Sequence, residues 1–152
     1  MACPFFMPTE KSEAALWPHP ARLPLGAGWE GHCCAPGHDT DAVSEDELKH
    51  SCNLGYASCE RLPQDRPADA VRFAVSRDTG SQIELSFVYE LAHRPAGHGR
   101  LQYDATLGQW SFPEGDAASE NPRLQKMAEC YLEAYLLRRI RPAAAGSNES
   151  PQ

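Results

Sequence analysis

The chain has 152 residues, 41% hydrophobic and 23% charged, which are the proportions of an ordinary globular domain rather than of a disordered chain. Residues 1–67 carry five Lys/Arg against ten Asp/Glu and residues 68–152 nine against eleven, for a formal net charge of -7, so neither part offers the basic footprint that a nucleic-acid backbone requires. No apolar run approaches the roughly 20 residues of a membrane span, and the start, Met1 to Pro8, lacks a basic n-region and is broken by Pro4 and Pro8, so a cytoplasmic, reducing setting is expected rather than secretion.

Residues 1–67 hold eight of the thirteen prolines. Pro18, Pro20 and Pro24 confine the stretch around Trp17 to extended or turn geometry. Trp17, Leu23, Leu25 and Trp29 are its main apolar bodies, few for a core of their own. Ser44-Glu45-Asp46-Glu47 fits a capping box and predicts a short helix to about Ser51, with Leu48 facing inward and Cys52 at its C-terminal end. Asn53-Leu54-Gly55 then supplies a turn, with Gly55 free to take positive φ.

Residues 70–112 change character. Ile83, Leu85, Phe87, Tyr89 and Leu91 alternate with Gln82, Glu84, Ser86, Val88 and Glu90, the period of a half-buried strand. Val71, Phe73 and Val75 mark a strand before it, joined through the turn Asp78-Thr79-Gly80-Ser81. The segment from Ala92 to His98, with Pro95 and Gly97, reads as a long loop. Leu101, Tyr103 and Ala105 mark a third strand, and Thr106-Leu107-Gly108 turns into a fourth carrying Trp110 and Phe112. Asn121 is a good N-cap and Pro122 suits the first helical position. Leu124, Met127, Ala128, Tyr131, Leu132, Tyr135 and Leu136 then give one apolar stripe, Pro142 ends the helix, and Arg138, Arg139 and Arg141 favour its dipole. The expected fold class is α+β: a Pro/Cys-rich metal-binding N-terminal lobe over 1–66, then a four-stranded antiparallel β-meander packed against a C-terminal α-helix over 67–142, with a disordered tail over 143–152.

The chemistry lies in the cysteines. Cys3, Cys33, Cys34, Cys52 and Cys59 fall in the first 59 residues, and Cys130, on the flank of the helix stripe, reads as a buried thiol. A four-thiolate site draws on Cys3, one of the vicinal pair, Cys52 and Cys59. Adjacent residues point in different directions, and Cys34 is preferred because Ala35-Pro36-Gly37 after it turns the chain back, leaving Cys33 as the alternate. Pro4 removes a backbone donor and stiffens the approach to Cys3. Structural zinc ordinarily uses closely spaced Cys knuckles, and none occurs here. The six residues between Cys52 and Cys59 suit a bulkier object, a [4Fe-4S] cluster, shielded by Phe5, Phe6, Trp17, Trp29 and Tyr56. Zinc is the alternative, with Cys34-x3-His38 as a half-site and His32 and His50 beside candidate ligands. Five cysteines in a proline-rich segment also admit a thiol oxidoreductase using Cys33 and Cys34, although the usual redox dithiol is Cys-x-x-Cys.

Residues 1–63 resemble a four-cysteine module of uncharacterised bacterial proteins. The resemblance rests on Cys3-Pro4, Trp17-Pro18, Cys34, and Cys52 to Cys59 followed by Leu62-Pro63. It departs in the vicinal Cys33 and in having no proline directly after Cys59. It implies a clustered site of four thiolates. The chain contains no glycine-rich phosphate loop, nucleophile elbow or His-Glu-x-x-His pair. His93 and His98 read as exposed loop residues, and the acidic run Asp39 to Glu47 as helix capping and solvation. The expectation is thus a small metal-binding protein without catalytic residues. Its role is electron transfer, redox sensing or structure, or, with zinc, an interaction module offering a sheet face or edge to a protein partner.

Overall fold

The alternating run becomes β4 (Gln82–Leu91), flanked in a four-stranded antiparallel sheet by β3 (Ala70–Asp78) on one side and β5 (Arg94–Asp104) then β6 (Gln109–Ser111) on the other. The computed structural model describes residues 1–13, 16–39, 41–55, 59–112 and 121–140. Register follows the side-chain period. Ile83 and Leu85 lie opposite Tyr103 and Leu101 on the buried face. Glu84 and Ser86 lie opposite Gln102 and Arg100 on the other, polar face. At the β3–β4 turn Gly80 has φ 89° and donates its N–H to Asp78 Oδ1 at 2.8 Å.

The stretch Ala92 to His98 is not a loop. The chain reverses over Ala92 and His93, whose φ values are 50° and 62°, and β5 starts at Arg94. Two residues of positive φ match the twist of the flanking strands. Ala does not advertise that geometry, and His, though commoner there than most residues, marks it far less than the Asn-Gly or Asp-Gly pairs of such turns. Pro95 is accommodated opposite Glu90, where the register shifts.

A two-stranded antiparallel sheet of β1 (Phe6–Lys11) and β2 (Trp29–Cys33) went unforeseen for a similar reason. Pro8 and the polar run Thr9-Glu10-Lys11 show no alternation, and the ladder is irregular between Pro8 and Glu10, as a residue without an N–H requires. The short helix α1 (Glu45–Glu47) carries the expected capping box. The Glu47 N–H donates to Ser44 Oγ at 3.2 Å, and the Ser44 N–H donates to Glu47 Oε2 at 2.8 Å. The helix then widens into a π turn over Leu48–Cys52, closed by the Asn53 N–H on the Leu48 carbonyl at 3.2 Å.

The 19-residue helix α2 (Pro122–Ile140) begins as expected, with Asn121 Oδ1 accepting from the Arg123 and Leu124 N–H groups at 3.1 and 3.2 Å. It packs on the sheet through Phe73 and Tyr131, whose ring centroids are 5.9 Å apart, and also against β1. Because it is held from two sides it buries more than one stripe, Cys130 and Ala134 as well as Leu124, Met127, Ala128 and Leu132. Its C-terminal Arg139 does more than favour the dipole. Its Nη1 reaches both oxygens of Asp78 at 2.9 Å, and the Tyr135 hydroxyl donates to Asp78 Oδ2 at 2.6 Å. One core results. Phe6, Leu25, Trp29 and Leu48 pack into the same cluster as Val71, Leu85, Leu101 and Met127, so residues 1–66 do not enclose a separate core. Among the described residues no helix is long and apolar enough to cross a membrane. Tyr56, Arg141, Pro142 and the tail 143–152 lie outside the described residues.

Candidate metal centre

Four chain segments meet at a small cavity of about 30 Å³, and each brings a cysteine: Cys3, Cys33, Cys52 and Cys59. Cys3 is placed by pairing on both sides. Ala2 exchanges N–H···O bonds with Val71 at 2.8 and 2.9 Å, and the Cys3 N–H donates to the Cys52 carbonyl at 3.1 Å, so two of the thiols are tied through the backbone. Cys33 ends β2 opposite Phe6, and the Ala35 N–H donates to its Sγ at 3.4 Å. Cys52 closes the π turn. The Cys59 carbonyl accepts from the Leu62 N–H at 3.1 Å.

The position of Cys52 depends on Asn53, which is 1% exposed. Its Oδ1 accepts from the Trp29 N–H at 3.0 Å, and its Nδ2 donates to the carbonyls of Trp29 and Leu48 at 3.1 and 2.9 Å. The amide thereby satisfies backbone groups of β2 and of the π turn together. Gly55, two residues on, sits at φ 60°. A side chain there would place Cβ 2.6 Å from the Met1 carbonyl oxygen.

Phe5, Phe6, Ala35, Val43 and Leu62 give the cavity apolar walls, while Glu47 and Arg61 stand at it as an ion pair at 3.3 Å. Burial pushes the Cys3 thiol up to about 11, and the neighbouring Cys33 and Cys59 push the same way against the N–H groups of Phe5 and Phe6, which lower it. Burial pushes Cys52 up to about 12, reinforced by Cys3, Cys33 and Cys59. Burial first, and then the repulsion between neighbouring thiolates, keeps these groups protonated beyond the range of an ordinary cysteine. A cation between them reverses that penalty.

The two members of the vicinal pair diverge, as successive residues at a strand end do. Cys33 turns to the cavity. Cys34 lies beside Arg123 and Asp39 and does not line it, although its backbone N–H holds the Phe5 carbonyl at 2.7 Å. His38 pairs with Asp41 at 2.6 Å and His50 with Asp46 at 3.0 Å; neither lines the cavity, and His32 is exposed on β2. Trp17 and Trp29 are buried away from the cavity lining. All six cysteines are free, and Cys130 is buried in the core, its thiol pushed up to about 12 by that burial. The thiols surround the cavity without converging on one point: among the described residues no three His, Cys, Asp or Glu side chains form a group that holds a metal ion as they stand. Sequence reasoning did not anticipate Asn53 as the keystone of the π turn; the only signal was a turn-forming residue directly after a cysteine. No family model, curated protein or solved structure matches the chain.

Proposed function

We propose that this chain is a metal-binding protein whose Cys3, Cys33, Cys52 and Cys59 hold a [4Fe-4S] cluster, serving electron transfer, redox sensing or structure. The observation that carries the reading is that four half-buried cysteines from four separate segments line one cavity, while the fully buried Cys130 stands apart. Thiols spaced around a cavity, apolar walls and backbone N–H groups directed at a sulfur are what such a cluster uses for its ligands, its shielding and its charge. When bound, the cluster supplies one-electron chemistry. The residues supply the rest: the Phe5 and Phe6 amides stabilise negative charge on Cys3, and the Phe5 and Phe6 side chains exclude water. Cys34 is left out of the ligand set because it faces Arg123.

Zinc is the second reading, and the cavity volume of about 30 Å³ favours it, since a single ion needs less room than a four-iron core. The thiol oxidoreductase reading finds no support in a pair of cysteines facing different surroundings.

Anaerobic purification followed by iron, acid-labile sulfide and zinc analysis separates the readings. Matched iron and sulfide with a brown chromophore supports the cluster, stoichiometric zinc in colourless protein supports the second reading, and absence of both removes the proposal. Cys33→Ser is expected to abolish metal retention and Cys34→Ser to preserve it. The opposite pattern would exchange the ligand.

A further inference from the structure

A second cavity, of about 290 Å³, shares Phe5 with the cysteine cavity. That volume is close to the lower bound, about 300 Å³, of pockets that take small organic molecules. Its walls are the rings of Phe5, Phe87 and Tyr89 with Pro67. Among the described residues that line it, Arg123 brings a fixed positive charge, His98 is the other ionisable cationic side chain, and there is no Asp or Glu. The guanidinium of Arg123 is half-buried, held 5.6 Å over the centroid of the Phe5 ring, with its Nε donating to the Pro4 carbonyl at 3.1 Å. Among the described residues no carboxylate pairs with it. Beside it the Tyr89 hydroxyl accepts from Asn121 Nδ2 at 3.2 Å, which leaves the hydroxyl proton to be donated elsewhere.

An orientated guanidinium at the end of an aromatic slot recognises a planar anion with an apolar body. A hydrated inorganic anion gains nothing from these walls, and a neutral aromatic brings no negative charge to a guanidinium whose partners are the Pro4 carbonyl and the Cys34 thiol. We infer that this cavity binds a small aromatic carboxylate, its ring against Phe5, Phe87 and Tyr89 and its carboxylate on Arg123. The inference does not rest on the metal reading.

Ligand-detected NMR on the full chain tests it, with benzoate and phenylacetate as probes and benzamide as the neutral control. The carboxylates are expected to bind saturably and benzamide at least about tenfold more weakly, the worth of a charge-assisted hydrogen bond. Arg123→Gln is expected to weaken benzoate by a similar factor, with Arg123→Lys retaining part of the affinity. Tyr89→Phe, which keeps the charge and the ring, covers the case in which Arg123→Gln unfolds, and is expected to weaken benzoate severalfold. Equal binding of benzoate and benzamide, undiminished binding in a folded Arg123→Gln chain, or no saturable binding of either carboxylate overturns the proposal.

Discussion

The carboxamide of Asn53 makes three hydrogen bonds in a site closed to water, two of them to the backbone of Trp29. Removing it leaves buried donors and acceptors without partners. Asn53→Ala is therefore expected to cost about 2–4 kcal/mol in chemical denaturation. Asn53→Asp, which accepts but does not donate once ionised, is expected to do no better. The thiols give a pH dependence of determined sign. Cys3 and Cys52 are raised from 9.0 to about 11 and about 12, so the folded metal-free chain holds protons that the unfolded chain has released above pH 9.0. Stability from these groups is complete below that value and falls as pH rises through 11 to 12. If the four thiols hold a metal, its retention runs the other way, weakening as acid competes for the thiolates. Parallel melts of metal-free and loaded protein across alkaline pH check both: the metal-free chain should lose melting temperature where the loaded chain does not.

At the scale of elements, Gly55 and Asp78 show how turns position longer pieces. Gly55→Ala asks for a left-handed alanine whose Cβ meets the Met1 carbonyl oxygen, and is expected to destabilise by about 2 kcal/mol or more. Asp78 holds the β3–β4 turn to the end of α2. The hydrogen bond from Tyr135 leads, followed by those from Gly80 and Arg139, in drawing its carboxyl from 3.8 to about 2. A depressed carboxyl stabilises the fold above its unfolded value and loses that contribution as pH falls toward about 2. Asp78→Asn should therefore flatten the acid limb of a stability profile while costing about 1 kcal/mol at neutral pH, allowing for solvent screening. The elements that were legible in the sequence are those with a period or a cap: β3, β4, the capping box and α2. Those that were not, β1, β2 and the Ala92-His93 turn, depend on partners distant in sequence or on residues that carry only a weak conformational signature. For the site, the clustering of cysteines was legible, but the choice between Cys33 and Cys34 was not. A register of Phe6 against Cys33 decides which thiol turns inward, and register between segments some 27 residues apart leaves no local trace.

For the whole molecule, the shared core ties the cysteine-bearing segments to the meander and α2. Damage far from the cavity should thus register at the cavity. Leu101→Ala, in the centre of that core at 0% exposure, is expected to cost about 2–5 kcal/mol. If the four thiols hold a metal, it should also raise the rate at which a chelator strips it, which a colorimetric chelator assay follows directly. The bridge of Ala2 to Val71 has a consequence in time. In chain order all four thiols precede β3, the strand on which Ala2, next to Cys3, is paired. An emerging chain of the first 66 residues has β1, β2 and the π turn to place its cysteines but lacks the β3 pairing that seats Cys3. If the four thiols hold a metal, a fragment ending at residue 66 should retain it less well than the full chain.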